Sequence, residues 1–372
     1  MADFFFYGTL CHAPLLRVVL GRNVAARPAR LDGHAVHWAD GGAFPLIVED
    51  AGGRAEGVLV TGMTAEDVAR LDFYEGGFAY HTRDLAVEAG GAATSARVYF
   101  PDPGHWVAAA PWSLADWQAV WGETVVATAD AFMALYGRRP PQEVLARYGQ
   151  MLVRGASRVR AETRPAPTLL RHSARPGDVV IAAQHQPYAR FFAVEEYDLR
   201  FRRFDGSLSP EVNRAVFISG DAVTVLPYDP VRDRVLLVEQ FRAAPLARGD
   251  RQPWMLEAIA GRIDPGETPE EAVRREAREE AGLVLDALEL VASYYPSPGA
   301  KSEFLYSYVA LTDLPDGAAG IFGVEGEAED IRGHLVGFEA LMALVASGEA
   351  AVAPLILSAL WLQRERPRLR RR

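Results

Sequence analysis

The alternation of apolar and polar positions divides the first half of the chain into two parts. In residues 1–104, short apolar runs at 3–7, 57–61, 84–87 and 95–100 predict strands, and 64–71 predicts a short helix. Residues 105–177 show helical spacing after Ser113 and from about 141 to 159, followed by prolines typical of a linker. We therefore predict a small α+β domain over 1–104 and a helical connector and linker over 105–177.

Residues 178–372 show a different pattern, in which strands and helices are mixed. Strands are predicted over 178–204 and 214–218 around a turn at Asp205-Gly206, and over 222–226 and 234–238 around Asp229-Pro230. A later strand at 306–310 precedes two helices at about 338–347 and 353–365. Mixed strands with helices at both ends of the segment predict a three-layer α/β/α sandwich with a mixed sheet.

One helix in this region has complete start and stop signals. Thr268 is a suitable N-cap, Pro269 occupies the first helical position, and Glu271 can close a capping box. Gly282 can end the helix in a left-handed conformation. The sequence therefore predicts a helix over 269–281.

The predicted helix carries a dense carboxylate cluster. Glu276, Glu279 and Glu280 are spaced i, i+3, i+4 and share one face, while Arg275 lies four residues before Glu279 and can orient it. Val273, Ala277 and Ala281 form a separate apolar stripe for packing. Carboxylates held this close repel one another, and hard divalent cations such as Mg²⁺ compensate them through oxygen ligands. The alternative interpretation is an ordinary solvated acidic helix.

Composition and charge favour a globular protein of two domains and disfavour some classes of partner. The 372 residues suffice for two domains, and 49% hydrophobic with 24% charged residues is typical of a globular protein. A net charge of −10 disfavours nucleic acid as a partner. The single cysteine, Cys11, favours a cytoplasmic location, and we expect neither a signal peptide nor a membrane span.

The basic tail at 364–372 has two interpretations. Phosphate or membrane binding is one of them. We favour a solvated helix end that complements the helix dipole.

The segment at 261–283 resembles the Nudix box of hydrolases that cut nucleoside diphosphates linked to another moiety. The resemblance rests on Gly261, Glu267, Arg275-Glu276, Glu279-Glu280 and Gly282. It extends over about 178–365 and is most similar to the ADP-ribose pyrophosphatase branch. The matching pieces are 238–242, Trp254, 256–261, Pro298 sixteen residues after Gly282, 326–332, Phe191-Phe192 and Asn213-Arg214.

This resemblance implies a set of residue roles. Mg²⁺, with Mn²⁺ as an alternative, is assigned to Glu276, Glu280, Glu329 and the Ala260 carbonyl. Glu279 and Arg275 support the cluster, and Glu327 positions or deprotonates the attacking water. Substrate binding is assigned to Arg242, Arg214, Phe191, Glu257 and Pro298, with Phe191 stacking on adenine. The branch also implies a homodimer that exchanges its N-terminal strands. Ala300-Lys301 departs from the small residues that relatives often carry there.

Three functional hypotheses follow from these residues. The leading one is hydrolysis of ADP-ribose to AMP and ribose 5-phosphate. The same chemistry on another nucleoside diphosphate sugar or a dinucleotide is the second. A non-hydrolysing ADP-ribose sensor is the third, and it is disfavoured because every box glutamate is present and no basic helix-turn-helix is found.

Residues 3–102 resemble gamma-glutamylcyclotransferase-like proteins, which implies a small β-barrel-type α+β domain. The matching residues are Tyr7-Gly8-Thr9-Leu10, 56–59, 71–76, Tyr80 and Arg83. Glu75 matches the family's acid/base glutamate, and a carboxylate with a tuned pKa can shuttle the proton that amine attack requires. Thr9 stands where many active members carry serine. We therefore favour a binding or structural module over an active cyclotransferase.

Overall fold

The computed structural model describes residues 1–76, 78–165, 167–323 and 329–371. It divides the chain into two compact units, an N-terminal unit of Met1–Leu169 and a C-terminal unit of Leu170–Arg372. Within the described residues, no helix has both the length and the apolar character needed to cross a membrane.

In the part of the N-terminal unit that the structure describes, six strands form one sheet. They are β1 (Ala2–Phe6), β2 (Ala26–Ala39), β3 (Pro45–Met63), β4 (Tyr80–Ala89), β5 (Ala92–Pro101) and β6 (Ala108–Pro111). The order β3-β1-β5-β4-β2 closes into a five-stranded barrel because β2 also pairs with β3, and β6 adds to β2. Phe5, Leu31, Leu59 and Val98 fill its interior. The predicted barrel-type domain is confirmed.

The helices of this unit pack on one side of the barrel. They are α1 (Ala13–Leu20), α2 (Ala65–Glu75), α3 (Leu114–Trp117), α4 (Glu123–Met133), α5 (Pro141–Leu145) and α6 (Tyr148–Thr163), with a π-helical turn at Gln118–Gly122. Leu15 of α1, Trp117, Phe132 of α4 and Met151 of α6 share a single core. The helices at 114–163, which lie in the segment predicted as a connector, therefore share the core of the N-terminal unit, and this unit extends to Leu169.

Several predicted elements of this unit need correction. Helix α2 continues to Glu75 rather than ending at Leu71, and the predicted helix over 141–159 is split into α5 and α6. The helical spacing after Ser113 predicts Trp117 and Val120 on the same side of a helix, with Trp117 in the core. Trp117 is fully buried, but Val120 is 53% exposed. The π-helical turn shifts the apolar face after Trp117, so a regular helical period places Val120 on the wrong side.

The described residues of the C-terminal unit form two sheets and four helices. Its strands are β7 (Val179–Ala189), β8 (Ala193–Phe201), β9 (Val212–Ile218), β10 (Ala222–Asp229), β11 (Arg234–Phe241), β12 (Trp254–Glu257), β13 (Ile259–Arg262), β14 (Ala287–Tyr294), β15 (Leu305–Leu311), β16 (Ile321–Phe322) and β17 (Ile331–Gly337). Its helices are α7 (Ala243–Arg248), α8 (Pro269–Ala281), α9 (Phe338–Ser347) and α10 (Ala353–Leu369). The segment predicted as strand over 178–204 contains a turn at 190–192 between β7 and β8.

The larger sheet is mixed and lies between two helical layers. Its order is β14-β15-β10-β11-β17-β16, with β12 on β11, β13 on β10, and β10 parallel to β15. Helix α8 packs through Val273 and Ala277 on one face, and α9 and α10 pack through Leu341 and Leu355 on the other. The predicted α/β/α sandwich is confirmed. Strands β7-β8-β9 form a separate antiparallel sheet.

The basic tail is partly structural. Arg366 donates through Nε to Asp233 at 2.9 Å, and its guanidinium lies 4.0 Å from the centroid of the Phe338 ring. Arg368 pairs with Glu289 at 3.1 Å, and Arg370 pairs with Asp233 at 3.3 Å. These residues fasten α10 to the sheet, so this part of the tail is not the freely solvated helix end that the sequence predicted.

Candidate active site

Helix α8 has the predicted caps. The Thr268 hydroxyl accepts from the Glu271 amide at 3.2 Å, and the Glu271 carboxylate accepts from the Thr268 amide at 2.8 Å. Gly282 ends the helix with φ of 62°, a left-handed conformation that favours glycine. The helix bounds are therefore fixed by local chemistry, and they set the direction in which the carboxylates project.

The three carboxylates do not share one environment. Glu276 and Glu280 are only 9% and 3% exposed, whereas the Glu279 side chain is 39% exposed at the rim. Val273, Ala277 and Ala281 are buried in the core beneath them. The helix thus turns Glu276 and Glu280 into the protein, which a solvated acidic helix would not do.

Arg275 is the central cation of the cluster. It donates to Glu276 at 2.7 Å, to Glu279 at 3.0 Å and to Glu267 at 2.9 Å. It also donates to the Arg262 carbonyl at 2.9 Å, which ties α8 to β13. Burial acts to lower the pKa of Arg275, but the hydrogen bonds to Glu267 and the charge of Glu276 raise it well above its usual range.

Strand β13 supplies the backbone opposite the helix. The Ala260 amide donates to the Glu280 carboxylate at 3.1 Å, so the Ala260 backbone lies beside this side chain. A Cβ atom added to Gly261 would lie 1.8 Å from Glu276 Oε1. Gly261 is therefore required for the close approach of the Glu276 carboxylate to the strand.

Both buried carboxylates have raised pKa values. Burial raises the pKa of Glu276 to about 7, against the lowering effect of Arg275. Burial raises the pKa of Glu280 to about 8, and the charges of Glu276 and Glu329 add to the rise. Glu276 and Glu280 are thus two buried carboxylates within range of the charge of Glu329, and a hard divalent cation is a suitable counter-ion for such a pair.

The described residues alone do not complete a metal centre. Among residues 1–323 and 329–371, leaving aside 77 and 166, no group of three or more His, Cys, Asp or Glu is placed to hold a metal ion. Glu327 lies outside the described residues, as does the rest of 324–328. The oxygen donors of Glu276 and Glu280 nevertheless suit a divalent cation, because the charges of Glu276 and Glu329 both act on the buried Glu280 carboxylate.

Arg242 and Glu257 form an ion pair near this cluster. Arg242 donates to one Glu257 oxygen through Nη2 at 2.6 Å and through Nε at 3.0 Å, and Gln240 contacts the same oxygen at 3.3 Å. Burial acts to lower the pKa of Arg242, but Glu257, Glu280 and Glu329 together raise it. The structure therefore brings together Arg242 and Glu257, both predicted to bind substrate. The charges of Glu280 and Glu329 act on Arg242.

The remaining predicted substrate residues lie on the three-stranded sheet and a nearby loop. Phe191 is 56% exposed in the turn between β7 and β8. Arg214, on β9, is exposed and donates locally to the Asn213 carbonyl at 2.9 Å. Pro298 is exposed in a loop that bonds to β9, where the Phe217 amide donates to the Ala300 carbonyl at 2.8 Å. No described contact joins Arg214 to Arg242.

Arg262 lies in this region but was not among the site residues predicted from the sequence. Arg262 follows Gly261, and its guanidinium lies 4.1 Å from the centroid of the Phe191 ring. The pattern of the box assigns nothing to this position. The sequence does indicate the direction of this side chain, because successive residues of a strand point to opposite faces. Gly261 faces α8, so residue 262 points away from α8.

The N-terminal unit has its own candidate site around Glu75. Glu75 is the last residue of α2, is half-buried, and its carboxylate makes no hydrogen bond to any described residue. Burial raises its pKa to about 7. Its charge contributes to the raised pKa of five surrounding tyrosines, after their own burial: Tyr7, Tyr74, Tyr80, Tyr99 and Tyr148.

The Tyr7-Gly8-Thr9-Leu10 loop lies next to these tyrosines. Tyr7 donates to the Tyr99 carbonyl at 2.8 Å, and Leu10 is buried in the core. A Cβ added to Gly8 would lie 2.5 Å from Pro45 Cγ, so the loop approaches the barrel closely. The structure thus brings Tyr7 and Glu75, far apart in sequence, into one electrostatic environment.

Each of the two units matches a known protein family. Residues 219–356 match the NUDIX domain, and residues 4–119 match Gamma-glutamyl cyclotransferase, AIG2-like. The ADP-ribose pyrophosphatase of Escherichia coli strain K12 is 42% identical over 186 residues, covering 50% of this chain and 88% of that protein. The ADP-ribose pyrophosphatase of Haemophilus influenzae is 35% identical over 188 residues, covering 50% and 86%.

Two further matches are more distant. The GDP-mannose pyrophosphatase of Yersinia pestis is 30% identical over 158 residues, covering 42% of this chain and 78% of that protein. A crystal structure of an ADP compounds hydrolase is 23% identical with a TM-score of 0.39, covering 52% of this chain and 98% of that one. Both predicted resemblances are confirmed by the family matches. The chain is a Nudix pyrophosphohydrolase that carries an N-terminal domain of the gamma-glutamyl cyclotransferase, AIG2-like family.

Proposed function

We propose that the C-terminal unit hydrolyses the pyrophosphate of ADP-ribose to AMP and ribose 5-phosphate. The observation that carries this proposal is the buried pair Glu276 and Glu280, held opposite β13 and close to Arg242. The 42% identity to an ADP-ribose pyrophosphatase supports the choice of substrate. GDP-mannose pyrophosphatases are more distant, which makes another nucleoside diphosphate sugar the second candidate.

Mg²⁺ is the proposed metal, with Mn²⁺ as an alternative. Glu276, Glu280 and Glu329 would hold it, together with the Ala260 carbonyl. A divalent cation bound there neutralises pyrophosphate charge and lowers the pKa of bound water. The raised pKa values of Glu276 and Glu280 support this assignment, because buried carboxylates without a counter-ion are costly to ionise.

The other side chains bind and orient in this proposal. Arg242 holds the diphosphate through paired charge-assisted hydrogen bonds, and Glu257 fixes its guanidinium. Arg275 keeps Glu276 and Glu279 in place. Arg214 binds the terminal ribose or a phosphate, Pro298 shapes the substrate loop, and Phe191 stacks on adenine. Glu327, outside the described residues, positions or deprotonates the attacking water.

A substrate panel tests the proposed activity. With saturating Mg²⁺, we expect kcat/KM for ADP-ribose to exceed that for GDP-mannose, NAD⁺ and ATP by about tenfold or more, since a mismatched polar contact costs on the order of 1–3 kcal/mol. Products are identified by chromatography as AMP and ribose 5-phosphate. Preference for a triphosphate would contradict the assignment, and tight ADP-ribose binding without turnover would indicate a sensor.

We also propose a homodimer formed through the three-stranded sheet. Val179, Ile181, Tyr188 and Phe201 are each more than 40% exposed on this sheet, an apolar surface that a partner would cover. Light scattering should give twice the 40.7 kDa of one chain. Ile181→Asp should shift the mass toward the monomer, whereas Val231→Asp, at a turn 83% exposed, should not. A fully active wild-type monomer would rule out shared sites.

A second candidate function concerns the N-terminal unit. The Glu75 carboxylate, with a pKa raised to about 7 by burial and no hydrogen-bond partner among the described residues, is suited to accept a proton or a ligand amine. The AIG2-like match supports a gamma-glutamyl group as ligand. We propose a gamma-glutamyl binding site there, with slow or no turnover because Thr9 replaces the usual serine.

Substitution of Glu75 tests this second candidate. A gamma-glutamyl amine should bind the wild-type chain, and Glu75→Gln should weaken the binding about tenfold or more, the range for losing one charged hydrogen bond. Calorimetry measures the affinity, and a parallel assay follows release of 5-oxoproline. Robust release that is abolished by Glu75→Gln would make the chain bifunctional. Such turnover would decline below pH about 7, because the protonated carboxyl cannot accept a proton.

A further inference from the structure

Arg262 connects the carboxylate cluster to the exposed aromatic turn. Its guanidinium carbon lies 4.1 Å from the centroid of the Phe191 ring, close enough for a cation–π contact. Phe191 is 56% exposed in the turn between β7 and β8, 71 residues earlier in the chain. Two segments that belong to different sheets therefore meet at this pair of side chains.

The backbone of β13 determines where Arg262 points. Successive side chains of a strand project to opposite faces. Ile259 is fully buried in the core that contains α8, and Gly261 faces Glu276 of the same helix. Arg262 therefore projects from the other face. Its own carbonyl accepts a hydrogen bond from Arg275 at 2.9 Å, so the central cation of the cluster fixes the backbone from which Arg262 extends.

The contact restricts the Phe191 ring. Phe191 also meets Phe192 edge to face, with centroids 4.8 Å apart, and Phe192 meets Phe217 at 4.8 Å. The Arg262 guanidinium over one ring of this aromatic group holds that ring at a set distance from β13. An aromatic ring on a tight turn would otherwise have several rotamers to lose on binding a ligand.

We infer that Arg262 is a specificity-determining residue for the aromatic base of the substrate, acting as a positioning residue through Phe191. By holding the ring as a preformed stacking platform, Arg262 sets the base at a fixed distance from the pyrophosphate-cleaving cluster. The inference rests on the proposed function, in which Phe191 stacks on adenine. Arg262, which follows the first glycine of the box, would thus select the base and would bind neither the metal nor the phosphates.

A pair of product ligands separates base recognition from phosphate recognition. AMP carries the base and ribose 5-phosphate does not. By calorimetry, Arg262→Ala should weaken AMP binding about fivefold to tenfold, the range expected from a lost cation–π contact and a mobile ring, and should leave ribose 5-phosphate binding within about twofold. In steady-state assays the KM for ADP-ribose should rise by a similar factor, with kcat within about twofold of the wild type.

A double-mutant cycle tests whether Arg262 acts through Phe191. In a Phe191→Ala background, Arg262→Ala should cause no further loss of AMP affinity. Arg262→Lys should recover part of the affinity, because it keeps the cation but not the planar guanidinium. Arg278→Ala, which removes the same charge from an exposed position on α8, should bind AMP like the wild type.

Three results would overturn the inference. Equal loss of AMP and ribose 5-phosphate would place Arg262 on the phosphate instead of the base. Additive losses in the double mutant would show that it acts independently of Phe191. A large fall in kcat at unchanged KM would make it part of the chemical step. The AMP cycle needs no turnover, so failure of the wild type to hydrolyse ADP-ribose would count against the proposed function alone.

Discussion

Glu280→Gln should lower kcat for ADP-ribose at least ~10³-fold while leaving the fold intact, since loss of a principal electrostatic group in an active site has effects of that order. Glu280 is 3% exposed and accepts a hydrogen bond from the Ala260 amide at 3.1 Å. The glutamine carbonyl keeps this acceptor and the side-chain volume. The substitution therefore removes charge from the cluster with little change in packing.

Stability should respond in the opposite direction from activity. Burial raises the pKa of Glu280 to about 8, above the ordinary value of 4.5. The folded state therefore holds a proton that the unfolded state releases, and stability falls as pH rises between these values. Without metal at pH 8, the Tm of Glu280→Gln should equal or exceed that of the wild type, as measured by calorimetry.

Glu271→Gln is the matched control for this experiment. It makes the same chemical change on the same helix, and glutamine can also close a capping box with Thr268. Its activity should stay close to that of the wild type. If Glu280→Gln retained most of its activity with Mg²⁺, the carboxylate pair would not be the catalytic metal site.

The elements that local chemistry determines could be predicted from the sequence. Helix α8 was predicted to the residue, because Thr268, Pro269, Glu271 and Gly282 each act on backbone groups within one turn. The layers of the sandwich followed from the mixed order of strands and helices along the sequence, whereas the barrel was predicted only from resemblance. The pattern alone does not encode that β2 pairs with both β3 and β4.

Contacts between distant segments could not be predicted in the same way. Arg366 bonds to Asp233, 133 residues away, and no local pattern marks the pair. The exposure of Val120 depends on a π-helical turn, which the spacing of apolar residues does not show. Burial of Glu276 and Glu280, but not of Glu279, also depends on β13 lying opposite the helix.

Gly261→Ala should abolish most activity through steric displacement of a neighbouring carboxylate. The added Cβ would lie 1.8 Å from Glu276 Oε1 and 2.0 Å from its Cδ, far inside contact distance. The clash is with the end of a flexible side chain, so Glu276 can rotate away and the fold should survive. Moving Glu276 would disturb its 2.7 Å bond to Arg275 and the donor set proposed for the metal.

We therefore expect kcat for Gly261→Ala to fall by about 10²-fold or more, the range for misplacing a catalytic group by an ångström. The Mg²⁺ concentration needed for half-maximal activity should rise, because the metal would lose one ordered carboxylate. Gly337→Ala is the matched control: a Cβ there meets no heavy atom within 4 Å, and φ is −63°. Its kinetics and Tm should stay close to those of the wild type. Normal Mg²⁺ dependence and normal kcat in Gly261→Ala would show that the Glu276 carboxylate can leave β13 without consequence, and would remove it from the proposed metal site.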